Sequence, residues 1–526
     1  MGTKNIIYIN CFTDPWVKVA KTLQEKHRYE PVYWVGYQED SSREMVAENF
    51  KNTIFQEDME AWRGLFPEPI RSKANETCIN IDFLRQYASN EEQAIKMLDR
   101  QDVDRYRFNF MERQRHVRNL FRSWTACIEL LKPDVVVTPM LPHRVYDYTL
   151  WVLCKFYKIP FLVFDHTRFF GRYMLLNDFY TIGDLFVEDY KRAIKKKDEE
   201  MEIPFDVREC FEKNKLDYAT AAPAYMVTED RTNKLWDTPF KLYKHTFARL
   251  FRERDKLRGE NGLLSDYTSL YYKEDKNISI EKSKYPLKVY LKDTTANIKY
   301  KKKLLEYYES RTVNPNYSDP YVIYFLHYQP EATTSPTGDI FVDQSLCIEM
   351  LLKNLPSNYK VYVKEHPHQF LAHREGHTSR MSFHYDDLLK NPRVKLMSTK
   401  ESSFDLIANC KAIGTVCGTV GWESIVRGKP VVLFGISWYE NYDKGVLRIT
   451  DEASAKRMQV FIEGYQYDEH ALLAYLEAVG KNTKLAYYYK AFYKDQLNIT
   501  EDECVNNMVT SIVEKFEEAN KEKCLI

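Results

Sequence analysis

Two series of short apolar segments, one in each half of the chain, constrain the fold most strongly. In the first series, strand-like segments at 6–9, 31–35, 134–138 and 160–165 alternate with segments in which apolar residues recur at helical spacing. The second series has such segments at 321–326, 359–364, 394–397, 412–416 and 430–434. Strands that alternate with helices predict parallel, doubly wound sheets. The sequence therefore predicts an α/β protein.

The length of the chain predicts more than one domain. At 526 residues the chain exceeds what one ordinary hydrophobic core holds. We expect a Rossmann-like domain at 1–182, a charged and largely helical insertion or linker at 183–319, and a second Rossmann-like domain at 320–480. Helices at 481–526 close the chain and could pack back on the first domain. Two α/β halves that face one cleft are the simplest architecture.

Composition narrows the class of protein. Lys and Arg together number 76, as do Asp and Glu, so the net charge of zero gives no global argument for a nucleic-acid partner. The ten cysteines form no close pairs of the zinc-binding kind, which favours a reducing cytoplasm. The N-terminal segment enters a strand directly, and no run of apolar residues reaches the length of a membrane span. We therefore expect a soluble, cytoplasmic chain.

The segment 240–258 carries a separate prediction. Its apolar residues fall on one helical face among seven Lys and Arg residues. Such a helix could lie on an anionic membrane surface as a peripheral contact with the inner membrane. The alternative is a helix that packs on a core while its basic side chains extend to solvent.

The strand predicted at 359–364 ends at charged and hydrogen-bonding side chains. Glu365, His366 and Pro367 follow it, and the proline stops the strand. Lys364 lies two residues before His366 on the same strand face, so both could donate hydrogen bonds to a phosphate group. The alternative is a structural histidine at a strand end.

A glycine-bearing turn follows the strand predicted at 412–416. Its glycines allow backbone N–H groups to approach an anion, hydroxyl side chains add donors, and a carboxylate could accept from ribose hydroxyls. The alternative is plain strand-to-helix packing. The candidate residues of this turn are Gly418, Thr419, Gly421, Glu423 and Ser424.

The long loop that begins at residue 327 is the third element. Long loops at the carboxyl end of a strand are commonly functional, and this one is rich in side chains that form hydrogen bonds. An ordered surface loop is the alternative. The residues that could line a donor site are His327, Gln329, Glu331, Thr333 and Thr334.

Three segments together resemble bacterial capsule polysaccharide biosynthesis proteins: 326–336, 363–367, and 418–424 with the Gly-Lys-Pro-Val sequence that starts at Gly428. Those proteins are similar to Kdo and sialic-acid transferases of the GT-B fold. The resemblance covers about residues 320–440 and does not extend to the helical middle region. It implies two Rossmann-like domains that face a cleft, and a nucleotide-sugar donor, favouring a CMP-activated acidic sugar.

The resemblance also implies roles for particular residues. In such enzymes the His-Pro histidine and the nearby glycine and serine turn contact the phosphate of the donor. That role would fall on His366, Thr419, Gly421 and Ser424, with Glu423 beside them. The resemblance implies no metal and no cofactor besides the donor. A possible metal motif, Asp102 with Asp104, lies in a polar segment of helical character.

The first half of the chain offers candidates for the acceptor side. Glycosyl transfer needs a base for the acceptor hydroxyl, or a nucleophile if configuration is retained. Each candidate could equally cap a helix or shape a turn. The candidates for base or nucleophile are Asp165, His166 and Asp14, and those for acceptor binding are His143, Arg144 and Arg168.

The sequence thus predicts a metal-independent glycosyltransferase with a glycan or lipid-linked acceptor and no nucleic-acid partner. Two alternatives remain open. A CDP-glycerol-type polyol-phosphate transferase also has a strand that ends in His-Pro. A non-catalytic glycan-binding or assembly protein could use the same scaffold.

Overall fold

The computed structural model describes residues 2–12, 14–37, 42–100, 108–167, 169–180, 183–216, 263–265, 284–371, 374–488 and 497–525. The helix predicted at 240–258, Arg168, Asp102 and Asp104 lie outside these residues, as does the side chain of Asp14.

The chain divides into two compact units. Unit 1 comprises Met1–Asp99, Phe108–Val207 and Leu473–Ile526, and unit 2 comprises Arg100–Arg107 and Arg208–Leu472. Each unit contains its own sheet of mainly or entirely parallel strands. The predicted mixed α/β class with two parallel-sheet halves is confirmed.

Most strands are short, with apolar residues facing both sides. In the described residues they are β1 (Lys4–Ile9), β2 (Tyr29–Gly36), β3 (Ile54–Glu57), β4 (Val135–Thr138), β5 (Phe161–His166), β6 (Arg172–Leu176), β7 (Leu263–Ser265), β8 (Lys284–Pro286), β9 (Tyr321–Phe325), β10 (Lys360–Lys364), β11 (Val394–Met397), β12 (Ala412–Thr415), β13 (Val431–Leu433), β14 (Val446–Arg448) and β15 (Lys484–Leu485).

Helices connect the strands. Those described are α1 (Asp14–His27), α2 (Ser42–Asn49), α3 (Asp58–Arg63), α4 (Ile70–Glu76), α5 (Ile81–Gln86), α6 (Ala88–Met97), α7 (Phe110–Leu131), α8 (Val145–Tyr157), α9 (Asp184–Ala193), α10 (Phe205–Leu216), α11 (Leu287–Glu309), α12 (Gln344–Asn354), α13 (Ser382–Leu389), α14 (Ser403–Asn409), α15 (Thr419–Ile425), α16 (Glu452–Lys456), α17 (Met458–Gly464), α18 (Glu469–Asn482) and α19 (Glu501–Leu525). Short 3-10 helices include Asp339–Val342, Pro367–Phe370 and Gly376–Thr378.

The sheet of unit 1 has seven strands in the order β15-β6-β5-β4-β1-β2-β3. Strands β1 to β5 are parallel, whereas β6 and β15 pair antiparallel at one edge. The core contains large aromatic side chains such as Trp16 and Trp34, and residues of α19 such as Met508 and Ile512 complete it. The last part of the chain therefore belongs to the core of unit 1.

The sheet of unit 2 has six parallel strands in the order β11-β10-β9-β12-β13-β14. The chain moves outward from β9 to β11 and then returns to the other side of β9 with β12. The strand order therefore reverses between β9 and β12. In open α/β sheets, ligands bind outside the carboxyl ends of the strands at such a reversal.

The stretch of chain that joins β6 to β9 is mainly helical where it is described. Between residues 183 and 319 the described part contains α9, α10 and α11 together with the short antiparallel pair β7–β8. The side chain of Tyr308, near the end of α11, is fully buried in the main core of unit 2.

Candidate functional site

Hydrogen bonds join the two loops that leave the sheet of unit 2 at the strand-order reversal. Nε2 of His327, in the loop after β9, lies 3.0 Å from Oγ1 of Thr415, the last residue of β12. The N–H of Cys417 donates to the same Nε2 at 3.4 Å, and the N–H of Gly418 donates to Thr415 Oγ1 at 3.1 Å. These hydrogen bonds hold the loop after β9 against the turn after β12.

The loop after β9 is shaped by the side chain of Gln329. Its Nε2 donates to the carbonyl oxygen of Val342 at 2.7 Å, and its Oε1 accepts from Arg380 Nη1 at 2.6 Å. The amide of Gln369 also exchanges two hydrogen bonds with the backbone of Gln329, at 3.0 and 3.1 Å. Gln329 therefore holds the loop in place through contacts within the protein.

The other candidates in this loop differ in exposure. Thr334 is buried, and its hydroxyl donates to the backbone oxygen of Glu331 at 3.1 Å. Thr333 and Glu331 are half-buried, and the Thr333 hydroxyl donates to Glu331 Oε2 at 2.9 Å. The carboxylate of Glu331 is thus oriented within the loop that follows β9.

His366 caps the 3-10 helix at Pro367–Phe370. Its Nδ1 accepts a hydrogen bond from the backbone N–H of His368 at 3.1 Å, and the two imidazole rings lie 4.7 Å apart. Burial, and then the positive charges that His368, His327 and Arg374 can carry, lower the pKa of His366 to about 3. This half-buried imidazole is therefore neutral at ordinary pH.

Lys364, predicted to contact phosphate beside His366, binds oxygen atoms of the protein. Its Nζ donates to the carbonyl oxygen of Glu401 at 2.6 Å and to Ser403 Oγ at 2.8 Å. Burial lowers the pKa of Lys364 to about 8. These contacts join β10 to the start of α14, and the predicted contact of Lys364 with phosphate stays a prediction.

A buried ion pair connects the loop after β9 with the residues that follow β10. Arg380 Nε donates to Glu365 Oε2 at 2.8 Å, and the two side chains are only 2% and 0% exposed. Arg380 Nη2 also donates to the backbone oxygen of His327 at 3.3 Å, while Glu365 Oε1 accepts from the N–H of His366 at 2.9 Å. The pair therefore connects the two candidate histidines through their backbones. The sequence analysis did not include Arg380, and no local motif distinguishes it.

The glycine turn after β12 is closely packed. The hydroxyl of Tyr439 donates to the backbone oxygen of Gly418 at 2.6 Å, and a Cβ at Gly421 would lie 2.2 Å from that hydroxyl oxygen. Ser424 is fully buried, and its Oγ donates to the backbone oxygen of Val420 at 2.6 Å. Gly421 and Ser424 thus make the strand-to-helix packing contacts that the sequence left open as an alternative.

The remaining two candidates of this turn are more exposed to solvent. Thr419, the first residue of α15, is exposed. Glu423 is half-buried, one turn further along the same helix. They are the polar side chains of the turn that are accessible to a ligand.

In unit 1, Asp165 and His166 end β5 at the carboxyl edge of the sheet. Asp165 is half-buried and His166 is exposed. Burial raises the pKa of Asp165 to about 6, although the nearby His166 acts in the opposite direction. A carboxyl group with this pKa changes its protonation near neutral pH and suits proton transfer.

Arg144 and His143, predicted to bind the acceptor, make contacts within unit 1. Arg144 pairs with the carboxylate of Asp58, and its Nη2 donates to the Tyr37 hydroxyl at 3.0 Å. Nδ1 of His143 lies 2.9 Å from the backbone oxygen of Leu141. Their role towards an acceptor stays a prediction.

Asn10 is a buried polar residue that the sequence analysis missed. It follows β1, where the strand order of unit 1 reverses between β1 and β4, and its φ is 60°. The Tyr146 hydroxyl donates to Asn10, and Asn10 Nδ2 donates to Asp147 Oδ2 at 3.2 Å. Asn is among the residues that adopt this left-handed conformation most readily. An asparagine directly after an apolar strand was the available signal.

Among the described residues, no group of three or more His, Cys, Asp or Glu side chains could hold a metal ion. No described helix is both long and apolar enough to cross a membrane.

Comparison with solved structures gives matches of low TM-score. The beta Kdo 2,7 transferase of KpsC from Thermosulfurimonas dismutans is 15% identical with a TM-score of 0.22, over 41% of this chain and 62% of that chain. The beta Kdo 2,4 transferase of the same KpsC is 12% identical with a TM-score of 0.27, over 67% and 82%. UDP-GlcNAc 2-epimerase from Methanocaldococcus jannaschii is 12% identical with a TM-score of 0.23, over 89% and 94%. These likenesses carry no argument about activity.

Comparison with protein families gives a match in the second half of the chain. No curated protein matches the sequence. The family described as "Capsule polysaccharide biosynthesis protein" matches residues 281–488, which include His327, His366 and Gly418. The resemblance of this part of the chain to capsule polysaccharide biosynthesis proteins is thereby confirmed.

Proposed function

We propose that this protein is a glycosyltransferase that moves a sugar from a nucleotide donor to a surface-polysaccharide or lipid-linked glycan. The proposed donor is a CMP-activated acidic sugar, such as Kdo or a sialic-acid-like sugar. The observation that carries the proposal is the set of hydrogen bonds joining His327 to Thr415 and Cys417 at the strand-order reversal of unit 2. This is the edge at which nucleotides bind in sheets of this order, and it lies in the segment that matches the capsule family.

The donor phosphate is stabilised by hydrogen-bond donors of the protein. The donors are the imidazole of His366 and the hydroxyl of Thr419, since the N–H groups of Cys417 and Gly418 donate within the protein. Donors that are fixed before the reaction stabilise the charge of a departing phosphate, which makes a metal ion unnecessary. Glu331 and Glu423 supply carboxylates that can accept from ribose hydroxyls.

Unit 1 provides the acceptor site and the base. Asp165 is the proposed base, because burial raises its pKa to about 6 and a base is most effective when its pKa lies near the working pH. In the reaction, the acceptor hydroxyl loses its proton to Asp165 and attacks the anomeric carbon of the donor. The bond between that carbon and the bridging phosphate oxygen breaks, and the nucleotide, CMP for the proposed donor, leaves with that oxygen on its phosphate group.

The proposal is tested by a transfer assay with CMP-, CDP-, UDP- and GDP-linked donors. Product masses are measured for the wild type and His366→Ala, with His470→Ala on α18 as a matched control. We expect turnover with one class of donor, a large loss in His366→Ala and no loss in His470→Ala. Unchanged turnover in His366→Ala would contradict the assignment of the donor site.

The same assay separates the alternatives. Phosphate carried into the product would identify a polyol-phosphate transferase. Tight binding of a glycan without affinity for any nucleotide would identify a binding or assembly protein.

We also propose that the segment 240–258 contacts an anionic membrane surface, with the protein peripheral on the inner membrane. The support is its sequence pattern of apolar and basic residues. The double substitution Phe247→Glu with Phe251→Glu should abolish binding to anionic liposomes. A wild type that does not bind such liposomes would contradict this part of the proposal.

A further inference from the structure

The backbone of the protein determines which ring nitrogen of His366 carries a proton. Nδ1 accepts from the N–H of His368 at 3.1 Å. A backbone amide always carries its hydrogen, so the nitrogen that faces it must keep its lone pair. The proton of the neutral ring is therefore on Nε2. This Nε2 has no hydrogen-bond partner among the described residues.

The same reasoning gives the opposite tautomer for His327. Its Nε2 faces the N–H of Cys417 at 3.4 Å and the hydroxyl of Thr415 at 3.0 Å. If Nε2 of His327 carried a proton, that proton would face the hydrogen of the Cys417 N–H and the two would repel each other. The Thr415 oxygen already accepts from the N–H of Gly418 at 3.1 Å, so its own proton is available for His327. The ring proton of His327 is therefore on Nδ1.

The positively charged groups around both rings lower the pKa of the two imidazoles. His366 is close to His368, His327, Arg374 and Lys364, and each of them disfavours a positive charge on it. The carboxylate of the preceding residue, Glu365, is bound by Arg380, the Tyr385 hydroxyl and the N–H of His366.

His327 is subject to the same two effects. Burial and the charge of Arg380 lower the pKa of His327 to about 4. Burial is the largest cause for His366 as well, and its pKa is lowered to about 3.

We propose that His366 and His327 bind the donor phosphate as neutral imidazoles, each through one N–H: Nε2–H of His366 and Nδ1–H of His327. The ligand in this inference rests on the proposed function, whereas the tautomers rest on the hydrogen bonds alone. The affinity of this sheet edge for phosphate then does not depend on pH in the range where an ordinary histidine titrates. A site that needed an imidazolium ion of ordinary pKa would lose affinity by about tenfold per pH unit above pH 6.5.

The tautomers are tested without any ligand. Side-chain ¹⁵N NMR of the histidines in the full chain is recorded from about pH 5.5 to 8, the range in which an unperturbed histidine titrates. The signals are assigned with His366→Gln and His327→Gln. We expect a protonated Nε2 for His366, a protonated Nδ1 for His327 and no titration of either ring. A titration midpoint within this range for either ring would overturn the inference.

The role of the neutral donor is tested with a phosphodiester probe, cytidine 5′-(methyl phosphate), which does not itself titrate in this range. We expect its affinity for the wild type to change by less than about twofold between pH 5.5 and 7.5, because no imidazolium ion takes part. His366→Gln keeps an uncharged N–H donor near the position of Nε2, and should stay within about threefold of the wild type. His366→Ala should lose about tenfold or more, as expected when a hydrogen bond to a charged group is removed.

Two other outcomes have distinct meanings. Equal losses in His366→Gln and His366→Ala, or affinity that rises about tenfold on acidification, would overturn the neutral-donor inference. A probe that fails to bind at any pH, in a protein whose NMR spectra show both tautomers as expected, would contradict the proposed donor while supporting the tautomers.

Discussion

Replacing Arg380 by Met should destabilise unit 2 strongly, because it removes one partner of a buried ion pair. The side chains of Arg380 and Glu365 are 2% and 0% exposed, and their Nε–Oε2 distance is 2.8 Å. Breaking a buried pair by removal of one partner costs about 3–5 kcal/mol, since the remaining charge is left uncompensated. Arg380→Met also removes the hydrogen bond to Gln329 Oε1 at 2.6 Å. We therefore expect a loss towards the upper end of this range.

The assay is native-state hydrogen exchange with mass spectrometry, which reports on each unit of the full chain separately. The free energy of opening is read from peptides that contain β9 and β10. Arg311→Met is the matched control, because the side chain of Arg311 is 48% exposed and its Nη2 lies 3.6 Å from Oδ1 of Asp386. An exposed pair of this kind contributes about 0–1 kcal/mol.

The double variant Arg380→Met with Glu365→Gln completes the test. It removes both charges, so no charge remains buried without a partner, and we expect it to recover part of the stability lost in the single variant. A loss below about 1 kcal/mol in Arg380→Met, no larger than that of an exposed pair, would refute the reasoning. A double variant less stable than Arg380→Met would refute it as well.

Three further predictions concern single side chains. Thr415→Val keeps the shape but removes the hydroxyl that joins the two loops; urea unfolding of unit 2 should show a loss of about 1–3 kcal/mol, and a neutral result would contradict the role of the hydroxyl. Asp165→Asn should lower kcat by about 10²–10⁴-fold; wild-type activity should rise with pH through about 6, where the carboxyl loses its proton. Burial lowers the pKa of Lys301 to about 8, so between about pH 8 and 10 the unfolded chain binds more protons and stability rises with pH. Urea unfolding should then show wild type gaining stability relative to Lys301→Met over that range; a difference independent of pH would contradict this.

The central strands could be predicted from the sequence because they are short apolar runs buried on both faces. The strand predicted at 359–364 is observed at Lys360–Lys364, and the run at 321–326 is observed at Tyr321–Phe325. The two antiparallel strands of unit 1, β6 and β15, lack this signal. β6 begins with Arg172, whose guanidinium pairs with Asp206, and β15 has only two residues. Their pairing depends on the neighbouring strand and not on their own pattern.

The candidate site was predictable only in part, because its contacts join residues far apart in the chain. His366 followed from a strand end with a proline. The contact of His327 with Thr415 spans 88 residues, and it becomes evident only when the strand order places β9 beside β12. Gly421 fits a phosphate-binding turn by sequence, whereas Tyr439 gives it a packing role.

The most direct test of the account is the location of nucleotide binding. Hydrogen exchange of the full chain is measured with and without CMP, and with CDP, UDP and GDP for comparison. The account predicts that CMP slows exchange in peptides of unit 2 that contain His327, His366 and Gly418, and that the sheet edge of unit 1 is unchanged. Slower exchange confined to unit 1, or no effect of any of the four nucleotides, would contradict it.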